Sequence, residues 1–116
     1  MPLAAKYLFI VAMDVAKDKE ALFNEVYDKE HVPLLSKVQG VRGVTRLKTE
    51  PAAFNIGGER KVLDGAGHAT YLALYEIDSP AVLSSKEWSI ASEKGRWAKE
   101  VRPYTTNRSH IVRKVI

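Results

Sequence analysis

The stretch KYLFIVAMD, residues 6–14, decides the fold because it is apolar on both faces of a strand. One face carries Tyr7, Phe9, Val11 and Met13, and the other carries Leu8, Ile10 and Ala12. A strand with one solvated face alternates between apolar and polar residues, whereas a continuous apolar run indicates burial on both sides. The sheet that contains this strand therefore needs cover on each face.

The following segment, residues 18–38, changes to a helical period. One helical face is formed by Phe23, Val26, Tyr27, Glu30, His31 and Leu34, at the spacing i, i+3, i+4, i+7, i+8 and i+11. Glu30 and His31 lie side by side at the edge of its apolar part. Gly40 lies just beyond as a helix stop. Residues 41–50 then predict an amphipathic strand, with Val44 and Arg46 on the same face.

Residues 51–68 contain four glycines and a proline and show no clear period. This composition predicts a long loop, and long ordered loops in compact domains are often functional lids. The glycines do not have the spacing of a phosphate-binding loop or of a dinucleotide-binding motif.

The second half of the chain repeats the order of strand, helix and strand. Residues 69–78 predict a strand with Tyr71 and Tyr75 on one face. Residues 78–101 predict helix, with Ser79 as a cap before Pro80 and a second start at the capping-box pair Ser84 and Glu87. Trp88, Ala91, Gly95 and Ala98 recur there at helical spacing. Residues 104–116 predict the last strand.

The order of elements is therefore βαββαβ, within a single domain that covers residues 1–116. It predicts an α+β, ferredoxin-like fold, with a four-stranded antiparallel sheet and helices on one face only. The other sheet face remains too apolar to meet water. A second copy of the same sheet is the simplest cover, so we expect a symmetric homodimer.

Composition excludes several classes of function. The 116-residue chain has no cysteine, which rules out disulfides and thiolate metal sites, and it has no apolar run long enough to span a membrane. Its net charge of +4 is concentrated in residues 94–116, with seven basic residues and one acidic residue. These basic residues alternate with apolar ones and accompany no nucleic-acid motif, which favours a solvated face over nucleic-acid binding. The N-terminal run reads as a core strand rather than a signal peptide, so we expect a cytoplasmic protein.

Three stretches resemble a known family: YDKEHVPLL (27–35), VQGVRGVTRLK (38–48) and YLALYEIDSP (71–80). They are similar to small proteins of the dimeric α/β-barrel superfamily that are related to the EthD ether-degradation protein. The resemblance implies that two chains pair into a barrel and that each subunit has a pocket between its helices and its sheet. It also implies that Glu30 and His31 lie near that pocket. The superfamily includes cofactor-independent monooxygenases, muconolactone-type isomerases, polyketide cyclases and haem enzymes.

His31 is the candidate general base. Pro33 has no backbone N–H, so we expect the helix to kink or end there and to turn His31 toward the sheet. A histidine titrates near neutrality, and the adjacent carboxylate of Glu30 would orient it. The alternative is structural: His31 would be a capping or packing residue that binds a carbonyl freed by Pro33, and Glu30 would form an ion pair with Arg46 or another residue of the second strand.

Five further side chains are candidates for the pocket wall: Tyr27, Tyr71, Tyr75, Trp88 and Arg46. Ordinary core packing is the alternative for each aromatic residue. His110, on the last strand, is expected at the surface. A metal site made by Glu30, His31 and His110 is disfavoured because neighbouring residues on a helix point about 100° apart. We therefore expect neither a metal nor a cofactor.

Two functions stay open at this stage. One is a cofactor-independent enzyme of isomerase, cyclase or monooxygenase type, acting on a small aromatic, lactone or polyketide-like compound. His31 would accept a proton, and a tyrosine would stabilise the resulting oxyanion. The other is a non-catalytic module that binds a small ligand, or serves assembly, through the same pocket.

Overall fold

The computed structural model describes residues 3–116. Its strands are Tyr7–Val15 (β1), Val41–Lys48 (β2), Ala52–Ile56 (β3), Glu59–Leu63 (β4), Tyr71–Ile77 (β5) and Thr105–Lys114 (β6). Four of them form one sheet in the order β2–β5–β1–β6, and every neighbouring pair is antiparallel. This is the strand order of the ferredoxin-like βαββαβ arrangement, so the predicted α+β fold is confirmed.

Two helical segments make the crossovers between these strands. The first contains Glu20–Val26 (α1), a π-helical turn at Tyr27–His31 and Val32–Ser36 (α2). The second contains Lys86–Glu93 (α3) and a further π-helical turn at Trp97–Val101. No helix within residues 3–116 is long and apolar enough to cross a membrane.

Of the two outcomes expected at Pro33, a kink or an end, the end does not occur, because the helical segment continues past the proline. The backbone N–H of Val32 donates to the carbonyl of Tyr27, five residues back, so the hydrogen-bond ladder widens just before the proline. Pro33 then stands in the first turn of α2, where its missing N–H is tolerated. The segment therefore continues to Ser36, and His31 is the last residue of the π-helical turn.

The second helical segment starts as predicted but is interrupted. The Ser79 hydroxyl accepts a hydrogen bond from the N–H of Ala81, as expected of the cap. The cap of α3 is Ser85, not Ser84, and its hydroxyl accepts from the N–H of Trp88. Gly95 has a φ of +74°, a left-handed conformation that stops the regular helix.

The helices cover one face of the sheet, and the strands alternate as the sequence predicts. On β5, Tyr71 and Tyr75 are buried beneath the helices, while Leu72 and Leu74 lie on the other face and are only half-buried. The core consists of this helix-covered face and the inner sides of the helices. None of the helices within residues 3–116 lies over the opposite face, which we call the open face.

Residues 51–68 are not the long loop that we predicted, because β3 and β4 form an antiparallel hairpin there. Its turn is Gly57–Gly58, and both glycines have a positive φ, of +60° and +80°. A type I′ turn, which closes hairpins with a two-residue loop, requires a positive φ at both loop residues, and Gly-Gly is a favoured sequence for it. The sequence signal for this hairpin is the pair Gly57–Gly58 between two five-residue segments, which the composition of the stretch alone does not reveal.

A β-bulge interrupts the pairing of β6 with β1. Ala12 pairs with Ser109 and Asp14 pairs with Thr106, so Met13 stands opposite two residues. One of the two is Asn107, a non-glycine residue with a φ of +52°. Asparagine is among the few side chains that adopt this conformation readily.

Candidate functional site

A cavity of about 170 Å³ lies between the helices and the helix-covered face of the sheet. Its walls come from β1, β5 and β6 and from both helical segments. A cavity of about 150 Å³ can enclose a benzene ring. The cavity therefore has room for one small ring.

His31 lines this cavity and is almost fully buried, with 6% of its surface exposed. Its imidazole stacks on Trp97, with ring centroids 4.4 Å apart, and meets the edge of Tyr27 at 5.2 Å. Its Nδ1 is buried and has no hydrogen-bond partner within residues 3–116. An unsatisfied buried nitrogen costs about 1–3 kcal/mol, so such a group calls for an explanation, and a bound ligand is one that the cavity allows.

Burial lowers the pKa of His31 to about 4, because the charged imidazolium is poorly solvated there. The charge of Arg102 acts in the same direction, and the Glu93 carboxylate opposes it. The imidazole is therefore neutral near pH 7, where one ring nitrogen donates a hydrogen bond and the other accepts one.

A pair of tyrosines forms the next part of the wall. The hydroxyls of Tyr27 and Tyr75 lie 3.3 Å apart, and both side chains are buried. Burial raises the pKa of each phenol above its ordinary value, so both stay protonated. One hydroxyl donates to the other, which leaves one O–H available to a ligand.

The remaining aromatic wall centres on Phe9. Trp88 meets it edge-on at 5.9 Å, and His110 stacks on it at 5.9 Å. Trp88 also packs edge-on against Tyr75 at 5.4 Å. His110 is surface-exposed, as predicted, yet it lines the cavity through this contact.

Two arginines reach the cavity, and they differ in their partners. Both guanidinium NH groups of Arg102 donate to the Glu93 carboxylate, at 2.9 and 2.5 Å. Arg108 forms no ion pair with any residue that the structure describes. Glu93 therefore neutralises the charge of Arg102, whereas no described carboxylate neutralises the charge of Arg108.

Glu30 has no hydrogen bond to His31 among the described residues, and its ion pair is with Arg96 rather than with Arg46 or another residue of β2. Its carboxylate accepts hydrogen bonds from the backbone N–H and the Nε of Arg96, at 2.9 and 2.6 Å. These bonds lower the pKa of Glu30 and tie the first helical segment to the second. The carboxylate that acts on His31 is that of Glu93.

Arg46 and Tyr71 lie outside the cavity, which corrects the predicted pocket. Arg46 binds Asp28 and Asn24, each at 2.8 Å. The Tyr71 hydroxyl donates to Glu20. The reason is the strand order: Arg46 is on β2, at the edge of the sheet farthest from β6, whereas the cavity lies over β5, β1 and β6.

Of the predicted site residues, the structure brings together His31, Tyr27, Tyr75 and Trp88. Sequence reasoning missed the contributions of Trp97, Arg102 and Arg108. The excess of basic residues in the C-terminal segment is the sequence feature that could have indicated Arg102 and Arg108. Because these residues alternate with apolar ones, the segment was interpreted as a face exposed to solvent. Within residues 3–116, no group of three or more metal-binding side chains comes together.

No family model and no curated protein matches the chain. Among solved structures, a point mutant of MhuD with two manganese protoporphyrin IX molecules per active site is similar, with 12% identity and a TM-score of 0.65 over 95% of this chain and 94% of that one. The heme-degrader MhuD from Mycobacterium tuberculosis, with two hemes in its active site, has 14% identity and a TM-score of 0.61 over 95% of each chain. An EthD family protein from Bacillus halodurans has 15% identity and a TM-score of 0.58 over 95% of this chain and 99% of that one. These likenesses confirm the fold and, at the level of fold, the resemblance to EthD-like proteins.

Proposed function

We propose that this protein binds a small compound with one aromatic ring in the cavity, and that His31 exchanges a hydrogen bond or a proton with it. The observation that supports this most directly is the buried Nδ1 of His31, which finds no partner among the described residues. The cavity around His31 is walled by aromatic rings, which favour a planar, apolar body.

The polar groups favour a ligand with an oxygen on its ring. A neutral imidazole accepts a hydrogen bond from a hydroxyl, and the Tyr27–Tyr75 pair has an O–H left to donate. A phenol satisfies both groups, because its O–H donates to the imidazole and its oxygen accepts from the tyrosine. A carbonyl oxygen accepts from the tyrosine O–H and can also accept from the N–H of the imidazole. In either case the ring lies in the cavity that Trp88 and Trp97 line.

Catalysis is the second candidate, and the neutral state of His31 favours it. A neutral imidazole can take a proton from a phenol or from a carbon next to a carbonyl, and the electron pair then moves onto the ligand oxygen. A tyrosine O–H would stabilise that oxyanion. Proton transfer of this kind suits isomerase or cyclase chemistry. With a pKa of about 4, however, His31 is a weak base in the empty cavity, so binding is the primary proposal.

The porphyrins in the MhuD structures do not suit this cavity. Its volume of about 170 Å³ is close to that of a single enclosed ring, while a porphyrin joins four. The residues present do not fit haem, and we derive no step through it.

The homodimer expected from the sequence is part of this proposal. Leu72 and Leu74 on the open face are half-buried in the single chain, with no helix over them. An apolar face of this kind is covered most simply by the same face of a second chain, which closes two sheets into a barrel.

Titration with phenol tests the proposed binding. We expect saturable quenching of tryptophan fluorescence, since Trp88 and Trp97 both line the cavity. His31→Asn should weaken the affinity about tenfold, the usual effect of losing one buried hydrogen bond. The matched control is His68→Asn, at an exposed histidine outside the cavity.

Circular dichroism of both variants establishes that each is folded. If phenol does not saturate the wild-type protein, or if both variants bind it equally well, the cavity is not the site proposed here.

A further inference from the structure

The alternation of side chains along β6 is broken once, between Thr105 and His110, where the strand contains one extra residue. Thr105 pairs with Val15 and His110 pairs with Val11, and paired residues share a face of the sheet. In an unbroken strand, two residues on one face are separated by an even number of positions. Residues 105 and 110 are separated by five, so the bulge at Asn107 supplies the extra residue.

The extra residue decides which side chains face the cavity. Arg108 and His110 alternate with Ser109, and both line the cavity, whereas Ser109 pairs with Ala12 on the open face. Without the bulge, the pairing would shift by one position and every later side chain would move to the opposite face. Arg108 and His110 would then lie on the open face.

The bulge is held by specific contacts. The side-chain Nδ2 of Asn107 donates to Asp14 at 3.1 Å, and the backbone N–H of Thr70 donates to the same carboxylate at 2.8 Å. These two hydrogen bonds also lower the pKa of Asp14, which keeps it ionised. Bulges of this kind are frequent beside functional sites, where they redirect a side chain.

The side chain that the bulge redirects carries a free charge. Arg108 forms no ion pair in the described part of the chain, while the other arginine of the cavity, Arg102, is bound by Glu93 on two nitrogens. A guanidinium has parallel N–H groups that match the two oxygens of a carboxylate. The unmatched charge therefore favours an anionic group on the ligand.

We propose that the ligand is a small aromatic carboxylate, whose ring occupies the cavity beside His31 and whose carboxylate binds Arg108. This inference rests on the proposed function, and it adds the chemical class of the ligand. Asn107 is a positioning residue in this scheme, since it acts only by placing Arg108 on the cavity face.

Calorimetric titration with benzoate and benzamide tests the inference, because the two probes differ mainly in charge. The wild-type protein should bind benzoate at least about tenfold more tightly than benzamide. Arg108→Gln should abolish this preference without weakening benzamide, and Arg108→Lys should restore part of it. The control is Arg113→Gln, which removes the same charge from the other face of β6, since Arg113 pairs with Leu8. It should keep the preference.

Two substitutions at Asn107 test the role of the bulge. Asn107→Gly should keep the preference for benzoate, because glycine adopts a φ of +52° without strain. Asn107→Val should lose it, because a β-branched residue is strongly disfavoured there.

The outcomes separate the two proposals. If benzoate and benzamide bind equally well and His31→Asn weakens both, the carboxylate class is wrong while the proposed cavity stands. If the Arg113→Gln control also loses the preference, Arg108 is not the anchor and the inference fails. If neither probe binds and phenol does not bind, the proposed function fails as well.

Discussion

The buried state of His31 should make the protein less stable as the pH falls from 7 to 5. Burial lowers the pKa of His31 to about 4, whereas a histidine in an unfolded chain has a pKa of about 6.5. In this range the unfolded chain takes up a proton that the native state does not, so the free energy of unfolding decreases. The full loss, reached near pH 4, is about 3 kcal/mol, and about 2 kcal/mol of it falls between pH 7 and pH 5. Below pH 4 both states are protonated, and His31 contributes no further loss.

Urea unfolding of the wild type and of His31→Asn, at both pH values and one protein concentration, measures this quantity. The two proteins share every other titrating group, so their difference isolates His31. The wild type should lose about 2 kcal/mol more than the variant on going from pH 7 to pH 5. Equal losses in the two proteins would refute the reasoning, because they would mean that His31 is as well solvated in the native state as in the unfolded chain.

Two further predictions concern the stability of the fold around the site and the proposed homodimer. Gly95→Ala should lower the free energy of unfolding by more than about 1 kcal/mol, because Gly95 has a φ of +74° and the new Cβ would lie 2.6 Å from Oε1 of Glu30. Urea denaturation measures this loss, and an unchanged midpoint would contradict it. Leu74→Asp on the open face should turn the proposed homodimer into a monomer of 13.0 kDa in light scattering, whereas Ala73→Asp, under the helices, should unfold the chain. A wild-type protein with the mass of one chain would contradict the dimer.

The faces of the strands could be predicted from the sequence because alternation is a local property. Tyr71 and Tyr75 were assigned to one face of β5, and the structure places both beneath the helices. Their distance from the cavity was not predictable in the same way. Four residues at about 3.3 Å each place the two tyrosines roughly 13 Å apart along the strand, so only Tyr75 reaches the cavity.

The position of a side chain across the sheet depends on strand order, which no local pattern contains. Arg46, which the sequence analysis places among the pocket residues, does lie on the helix-covered face, but β2 is the strand at the far edge. Arg108 was missed for the opposite reason, because the bulge that turns it inward lies at a single asparagine. An asparagine is one of the few side chains that allow such a bulge, since few others adopt a positive φ. It does not specify one, because Asn55 lies in β3 and pairs regularly with Arg60.

The π-helical turn at Tyr27–His31 has a consequence for aligning this chain with others. Its hydrogen bonds span five residues instead of four, so the turn holds one residue more than the α-helical turn that it replaces. A related protein with a regular helix at this point would be one residue shorter. An ungapped alignment would then match His31 to the wrong residue, and every position on one side of the turn would be displaced by one. Equivalents of His31 should therefore be identified by superposition of structures, with a gap allowed between residues 27 and 31.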